Sequence, residues 1–160
     1  MMQLANIIND DEGTVLNLLH GTRLEILNPP NEEAYWVLKG TLPPGVSVPL
    51  HSHSDAESFY GLVGEGEALV QTLAGLEWKK LRPGDFIHVP GGTKHAWRNR
   101  SSEPISTLVT CTARLGRALR EMAQVAPSPD AIQRLAKISE RYGYWLGSPE
   151  EKASVGIVLR

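Results

Sequence analysis

The chain has 160 residues, enough for one core that buries about 70% of the surface an unfolded chain of this size exposes. Its 16 Lys plus Arg against 18 Asp plus Glu give a formal charge of -2, without the basic excess that phosphate contacts demand, so a nucleic-acid binder is excluded. No apolar run approaches the roughly 20 residues that span a bilayer, and Met1–Asp11 lacks the basic-then-apolar pattern of a signal peptide. A soluble, cytoplasmic protein is therefore expected, and its single cysteine, Cys111, has no internal disulfide partner.

Residues up to about 112 alternate short β-prone runs with turn chemistry. Strands are expected at Thr14–Leu18, Arg23–Leu27, Ala34–Gly40, Val46–Leu50 and Glu57–Leu62, and then at Gly66–Thr72, Glu77–Leu81, Phe86–Val89, His95–Arg98 and Ile105–Cys111. The breaks are Asn28-Pro29-Pro30-Asn31, Pro43-Pro44-Gly45, Pro83-Gly84-Asp85, Pro90-Gly91-Gly92 and Ser101-Ser102-Glu103-Pro104. Many short strands at this spacing predict a sandwich or small barrel. After Ala113 the period changes. Leu115, Ala118, Leu119 and Met122 fall on one face of a helix. A second helix is expected with Ser128 as its cap, Pro129 at its first position and Gly143 at its end, and its apolar face runs through Ala131, Leu135, Ile138 and Tyr142. Ser148-Pro149-Glu150-Glu151 has the pattern of a capping box for a third, short helix. The expected organisation is a β-barrel over residues 1–112 and a helical extension over 113–160 packed on it.

His51 and His53 are two residues apart, so in a strand both rings share a face. Glu57 keeps that parity if Ser54-Asp55-Ala56 stays extended or turns tightly. Two imidazoles and a carboxylate on one face can hold a divalent transition metal, although His-x-His alone is as compatible with two polar residues at a strand end.

The flanking residues extend the pattern. Gly45, His51, His53, Glu57 and Gly64 fit G-x5-H-x-H-x3-E-x6-G, while Gly84, Pro90, Gly92, His95 and Asn99 fit G-x5-P-x-G-x2-H-x3-N. Together they resemble the two signature motifs of the cupin family. That resemblance implies an all-β core, a small antiparallel jelly-roll barrel with a metal inside, and His51, His53, Glu57 and His95 as the ligands. A softer resemblance, carried by Pro129-Asp130, Arg141-Tyr142-Gly143, Leu146-Gly147-Ser148-Pro149, His95-Ala96-Trp97-Arg98-Asn99 and Glu103-Pro104, links the chain to bacterial quercetin-dioxygenase-like single-domain cupins.

The remaining candidates follow from parity. Phe59 and Trp97 share the faces of Glu57 and His95, and suit a substrate-pocket wall or barrel core equally. His88, outside the ligand positions, is placed as a packed group that hydrogen-bonds into the pocket, His20 as exposed on a turn, Asn99 as a turn anchor, Arg98 as outward-facing and Cys111 as a buried bystander. The expected function is a metal-dependent dioxygenase, an oxidoreductase with one divalent ion. Iron is the first choice, and manganese, nickel, copper or zinc would suit the same ligands. It would act on a small oxygenated aromatic or diketone-like substrate, with Glu57 as ligand and proton acceptor. The alternatives are a non-redox isomerase or lyase and a non-catalytic small-molecule-binding cupin. A homodimer is expected through the N-terminal strands, Thr14–Leu27, whose open edge invites a partner.

Overall fold

A computed structural model describes residues 5, 7–9, 12–29 and 34–157. Most of the Met1–Asp11 segment and part of the Asn28–Asn31 turn lie outside the described residues. The elements run β1 (Thr14–Asn17), β2 (Arg23–Ile26), β3 (Tyr35–Leu42), β4 (Ser47–Ser52), β5 (Glu57–Val63), β6 (Gly66–Thr72), β7 (Gly75–Leu81), β8 (Phe86–Val89), β9 (His95–Arg98), β10 (Ile105–Thr112), α1 (Ala113–Ala123), α2 (Ala131–Arg141), β11 (Trp145–Leu146) and α3 (Pro149–Ser154).

The strands form two antiparallel sheets, β1-β2-β3-β10-β5-β8 and β11-β4-β9-β6-β7. This is the jelly-roll arrangement, a mostly antiparallel β structure with a small helical C-terminal part. Alternation drives it. Along β3, Trp36, Leu38, Gly40 and Leu42 are buried while their neighbours are not, so one face of the strand turns to the core. Leu38, Val109 and Phe59 lie side by side across β3, β10 and β5, and Trp36, Cys111 and Glu57 form the next row. A polar Glu57 thus enters an otherwise apolar layer.

The helices cover the ends and outside of this sandwich. Thr112 caps α1 by accepting from the Leu115 amide. A Cβ on Gly116 of α1 would lie 2.2 Å from the Trp36 ring, so only glycine allows the helix to settle there. Val125, Ala131 and Ile138 bind α1 to α2 through a separate small core. The N-cap of α2 is Asp130, which makes no side-chain capping bond; Ser128 instead donates to Asp130 and to the Ala126 carbonyl. The expected Ser128 cap is thus corrected, because its hydroxyl bonds locally within the turn. Gly143 ends the helix at φ +67° and the Ser148–Glu151 capping box is fully formed. Beyond α3, Ile157 joins Leu50, Leu69 and Ala96 on the outer face of the second sheet, and Trp78 Nε1 donates to the Val155 carbonyl at 2.9 Å.

Candidate metal centre

His51 lies near the end of β4 and His53 just beyond it, Glu57 opens β5, and His95 opens β9 opposite His51. One ligand atom from each falls within 4.8 Å of the others, and all four side chains are buried. Glu57 Oε1 lies 2.8 Å from His95 Nε2 and 3.2 Å from His53 Nε2. This donor set fits a divalent metal ion.

The orientation of the rings is fixed from behind. His51 Nδ1 is 2.7 Å from the Pro49 carbonyl, His53 Nδ1 2.7 Å from that of Asp55, and His95 Nδ1 2.8 Å from that of Thr93. A carbonyl only accepts, so each Nδ1 carries a hydrogen, and each Nε2 faces the common centre. The Asp55 backbone that anchors His53 is itself held by the start of α1, since Asp55 accepts from Thr112 Oγ1 at 2.7 Å and from Arg114 at 2.5 Å. Across the barrel, the Gly92 amide donates to the His53 carbonyl at 2.6 Å. A Cβ on the adjacent Gly91 would meet the Ser54 carbonyl at 2.2 Å, so this turn requires a glycine.

Burial opposes ionisation of Glu57, but hydrogen bonds from His53 and His95 and their charge outweigh it and hold the carboxyl far below its usual range. Burial pushes the His51 imidazole well down, and His95 pushes the same way. For His53, burial is outweighed by the hydrogen bond and charge of Glu57, which raise it. Burial pushes the Cys111 thiol up to about 12, so at neutral pH it is a buried, unreactive group.

Residues 39–111, which include all four metal-site residues, match the family described as Cupin domain. These residues form a cupin domain. Its fold recurs in solved structures at low identity. The chain matches an RmlC-like cupin from Shewanella frigidimarina at 19% identity and a TM-score of 0.57, over 70% of this chain and 94% of that one. A cupin 2 conserved barrel domain protein from Salinispora arenicola aligns over 88% of this chain and 98% of its own, at 18% identity and a TM-score of 0.53. The DMSP lyase DddQ from Ruegeria pomeroyi is 28% identical with a TM-score of 0.45, and the match covers 51% of this cupin and 39% of the lyase chain. No curated protein sequence matches.

The other sequence candidates separate in the cupin structure. Phe59 and Trp97 are buried with ring centroids 4.4 Å apart, one layer along the barrel from the cluster, and both line a small apolar cavity. His88 does not join them. It pairs across from Ser58, whose parity is opposite to that of Glu57, and its Nδ1 sits 2.9 Å from the Ser58 hydroxyl on an exposed face, so its assignment to the pocket is corrected. His20 is half-buried rather than exposed, and burial alone lowers its imidazole to about 4. Arg98 lies outside the barrel, paired with Glu67 at 2.7 Å and set over the Trp78 ring. Asn99 anchors its turn, donating to the Leu42 and Glu103 carbonyls and accepting from Ser101.

Tyr144 escaped the sequence reading. Its ring lies 4.9 Å from that of His53 and stacks on that of His51 at 5.8 Å, 9° from parallel. It is delivered by β11, which pairs Trp145 with Ser52 and Leu146 with His51. Burial pushes the Tyr144 phenol well above its ordinary range, and the charge of Glu57 adds to this. The available signal was Gly143-Tyr144-Trp145-Leu146-Gly147, an aromatic run between two glycines of the kind that makes a short strand.

Proposed function

We propose that the protein is a metal-dependent dioxygenase acting on a small oxygenated aromatic or diketone-like substrate, with Glu57 as ligand and proton acceptor. The observation that carries this reading is the convergence of three anchored imidazoles and one carboxylate, all buried, inside an apolar barrel. A divalent transition metal held by His51, His53, Glu57 and His95, iron first among the candidates, supplies Lewis acidity toward a substrate oxygen and redox capacity toward dioxygen.

The chain itself prepares that site. The Nδ1 anchors hold three rings in one geometry, so little reorganisation accompanies reaction. Glu57 is ionised at neutral pH, with its Oε1 between His53 Nε2 and His95 Nε2. Tyr144 walls the cluster beside His51 and His53, and the Phe59–Trp97 pair stands on the side toward the apolar cavity. Substrate therefore meets the cluster from the Phe59–Trp97 side, where apolar walls exclude water and strengthen each charge interaction.

Oxygen consumption tests this. Protein loaded with iron, manganese, nickel or copper takes up oxygen on addition of a flavonol or a diketone, and His51→Ala abolishes the uptake. Absence of uptake with every such metal and substrate overturns the redox reading. Full turnover with zinc under anaerobic conditions assigns the ion a purely Lewis-acid role, that of an isomerase or lyase.

A further inference from the structure

The cavity beyond the metal cluster has its own chemistry. Its volume is about 60 Å³, and none of the four candidate ligands lines it. Leu42, Val48, Phe59 and Val109 contribute apolar wall, and no lining residue is charged. Four side chains with polar atoms, Thr22, Thr41, Trp97 and Thr107, break this surface, and two of them stand out. Trp97 is 6% exposed and Thr22 8% exposed, and both line the cavity. Trp97 Nε1 and Thr22 Oγ1 are buried, and among the described residues neither has a hydrogen-bond partner. Buried donors are rarely left so, because an unmade bond forfeits the full cost of stripping the group of water. An indole N–H can only donate, so whatever satisfies it must bring an acceptor.

We propose that this cavity binds the acceptor-bearing end of a small, neutral, largely apolar ligand, a ketone or ether oxygen on an alkyl or aryl body, with Trp97 and Thr22 as its hydrogen-bonding residues. Charge is selected against, because a carboxylate or phosphate placed here would meet no cation. Size sets a further limit. A dry cavity of about 150 Å³ holds a benzene ring, so about 60 Å³ takes roughly two to four heavy atoms, an acetyl or methoxy group. Strand geometry sets the reach. Phe59 follows Glu57, and Trp97 follows His95, by two residues on the same face, a step of about 7 Å. A ligand whose oxygen end occupies the cavity and whose body passes Phe59 and Trp97 reaches the cluster. In that respect the inference rests on the proposed function, since it makes the cavity the specificity end of the substrate site.

The test is a titration of the full-length protein, as purified and after addition of zinc, followed through the Trp97 indole N–H signal in heteronuclear NMR. The probes are acetone, acetate and xenon. Acetone shifts the Trp97 signal saturably, acetate does not, and Thr22→Val weakens acetone binding about three- to tenfold, the effect of one hydrogen bond. Trp97→Phe, which lacks the indole signal and is followed instead by saturation transfer to acetone and by the xenon-129 resonance, weakens acetone binding similarly and leaves xenon binding intact; if that variant does not fold, Thr22→Val alone decides. Xenon binding without acetone binding identifies a dry packing void and overturns the proposal. So does equal binding of acetone and acetate, or a Trp97 signal unmoved by any probe. Because the readout involves no turnover, these results do not depend on the dioxygenase reading. Acetone binding in protein that takes up no added metal, zinc included, would uphold the cavity and sink the metal reading alone.

Discussion

Three histidines of this chain differ from the other two by what stands behind the ring. His51, His53 and His95 each give Nδ1 to a backbone carbonyl two residues away, which turns Nε2 toward a shared centre. Spacing put His51 and His53 on one face, since period-two alternation is a property of any strand, and the motif resemblance joined Glu57 and His95 to them. The anchoring bonds were not legible, because they depend on the local backbone path. Parity also explains why His88 was misplaced, as the residue opposite it, Ser58, lies on the other face from Glu57. His20 shows the same limit: a turn residue beside Gly21 reads as exposed until the packing around it is known. Its burial has a consequence for stability. The folded state holds His20 neutral down to about pH 4, whereas the unfolded chain protonates near 6.5. The contribution is complete above about pH 6.5 and is lost as the pH falls toward 4, on the order of 2–3 kcal/mol. Denaturant unfolding from pH 7 to 4 should therefore show a steeper loss in the native protein than in His20→Gln, and parallel curves would rule the effect out.

At the scale of elements, most strands were legible because proline and glycine punctuate them. Gly66–Thr72, Phe86–Val89 and His95–Arg98 have the bounds that turn chemistry predicts. β11 was not legible. Two residues carry too little pattern to declare a strand, and Trp145–Leu146 is one only because β4 offers an edge to pair with. The same short element places Tyr144 against His51 and His53, which ties the helical extension to the metal site. Tyr144→Ala removes that wall and leaves all four ligands in place. It should lower metal affinity about tenfold, the usual effect of losing a group that orients ligands. Tyr144→Phe, which keeps the ring, should bind as the native protein does. Competition against a chromophoric chelator measures both, and an unchanged affinity in Tyr144→Ala would reduce the tail to a cover for the sheet.

For the whole molecule, the arrangement of two sheets around one apolar interior places a charged carboxylate where hydrocarbon would pack best. Glu57 lies between Cys111 and Val89 in a row that Trp36 continues, and its stability there depends on His53 and His95. The resemblance carried by ten motif positions pointed to this barrel and to the four residues inside it, because those positions encode turns and inward faces. The cavity lined by Thr22 was hidden, since β2, β3, β4, β5, β9 and β10 must all be in place before it exists. A metal ion that binds the folded chain alone adds about 2.7 kcal/mol at a hundredfold excess over its dissociation constant. For a chain of this size, that raises Tm by roughly 5–10 °C. Calorimetry with and without zinc should show the rise in the native protein and none in His95→Ala.

The pairing of β11 with β4 also bears on the order in which this molecule can be completed. His51 and Leu146 are neighbours in the sheet, yet the chain between them includes six strands and two helices. Closing so long a loop is slow, and contacts of that kind form late in folding. During synthesis the histidine-bearing edge of β4 must wait, without its outer neighbour, until the segment around residue 146 has left the ribosome. The strand at the heart of the metal site thus has an edge open to mispairing in a nascent chain, and the residues that shield it are made long after it.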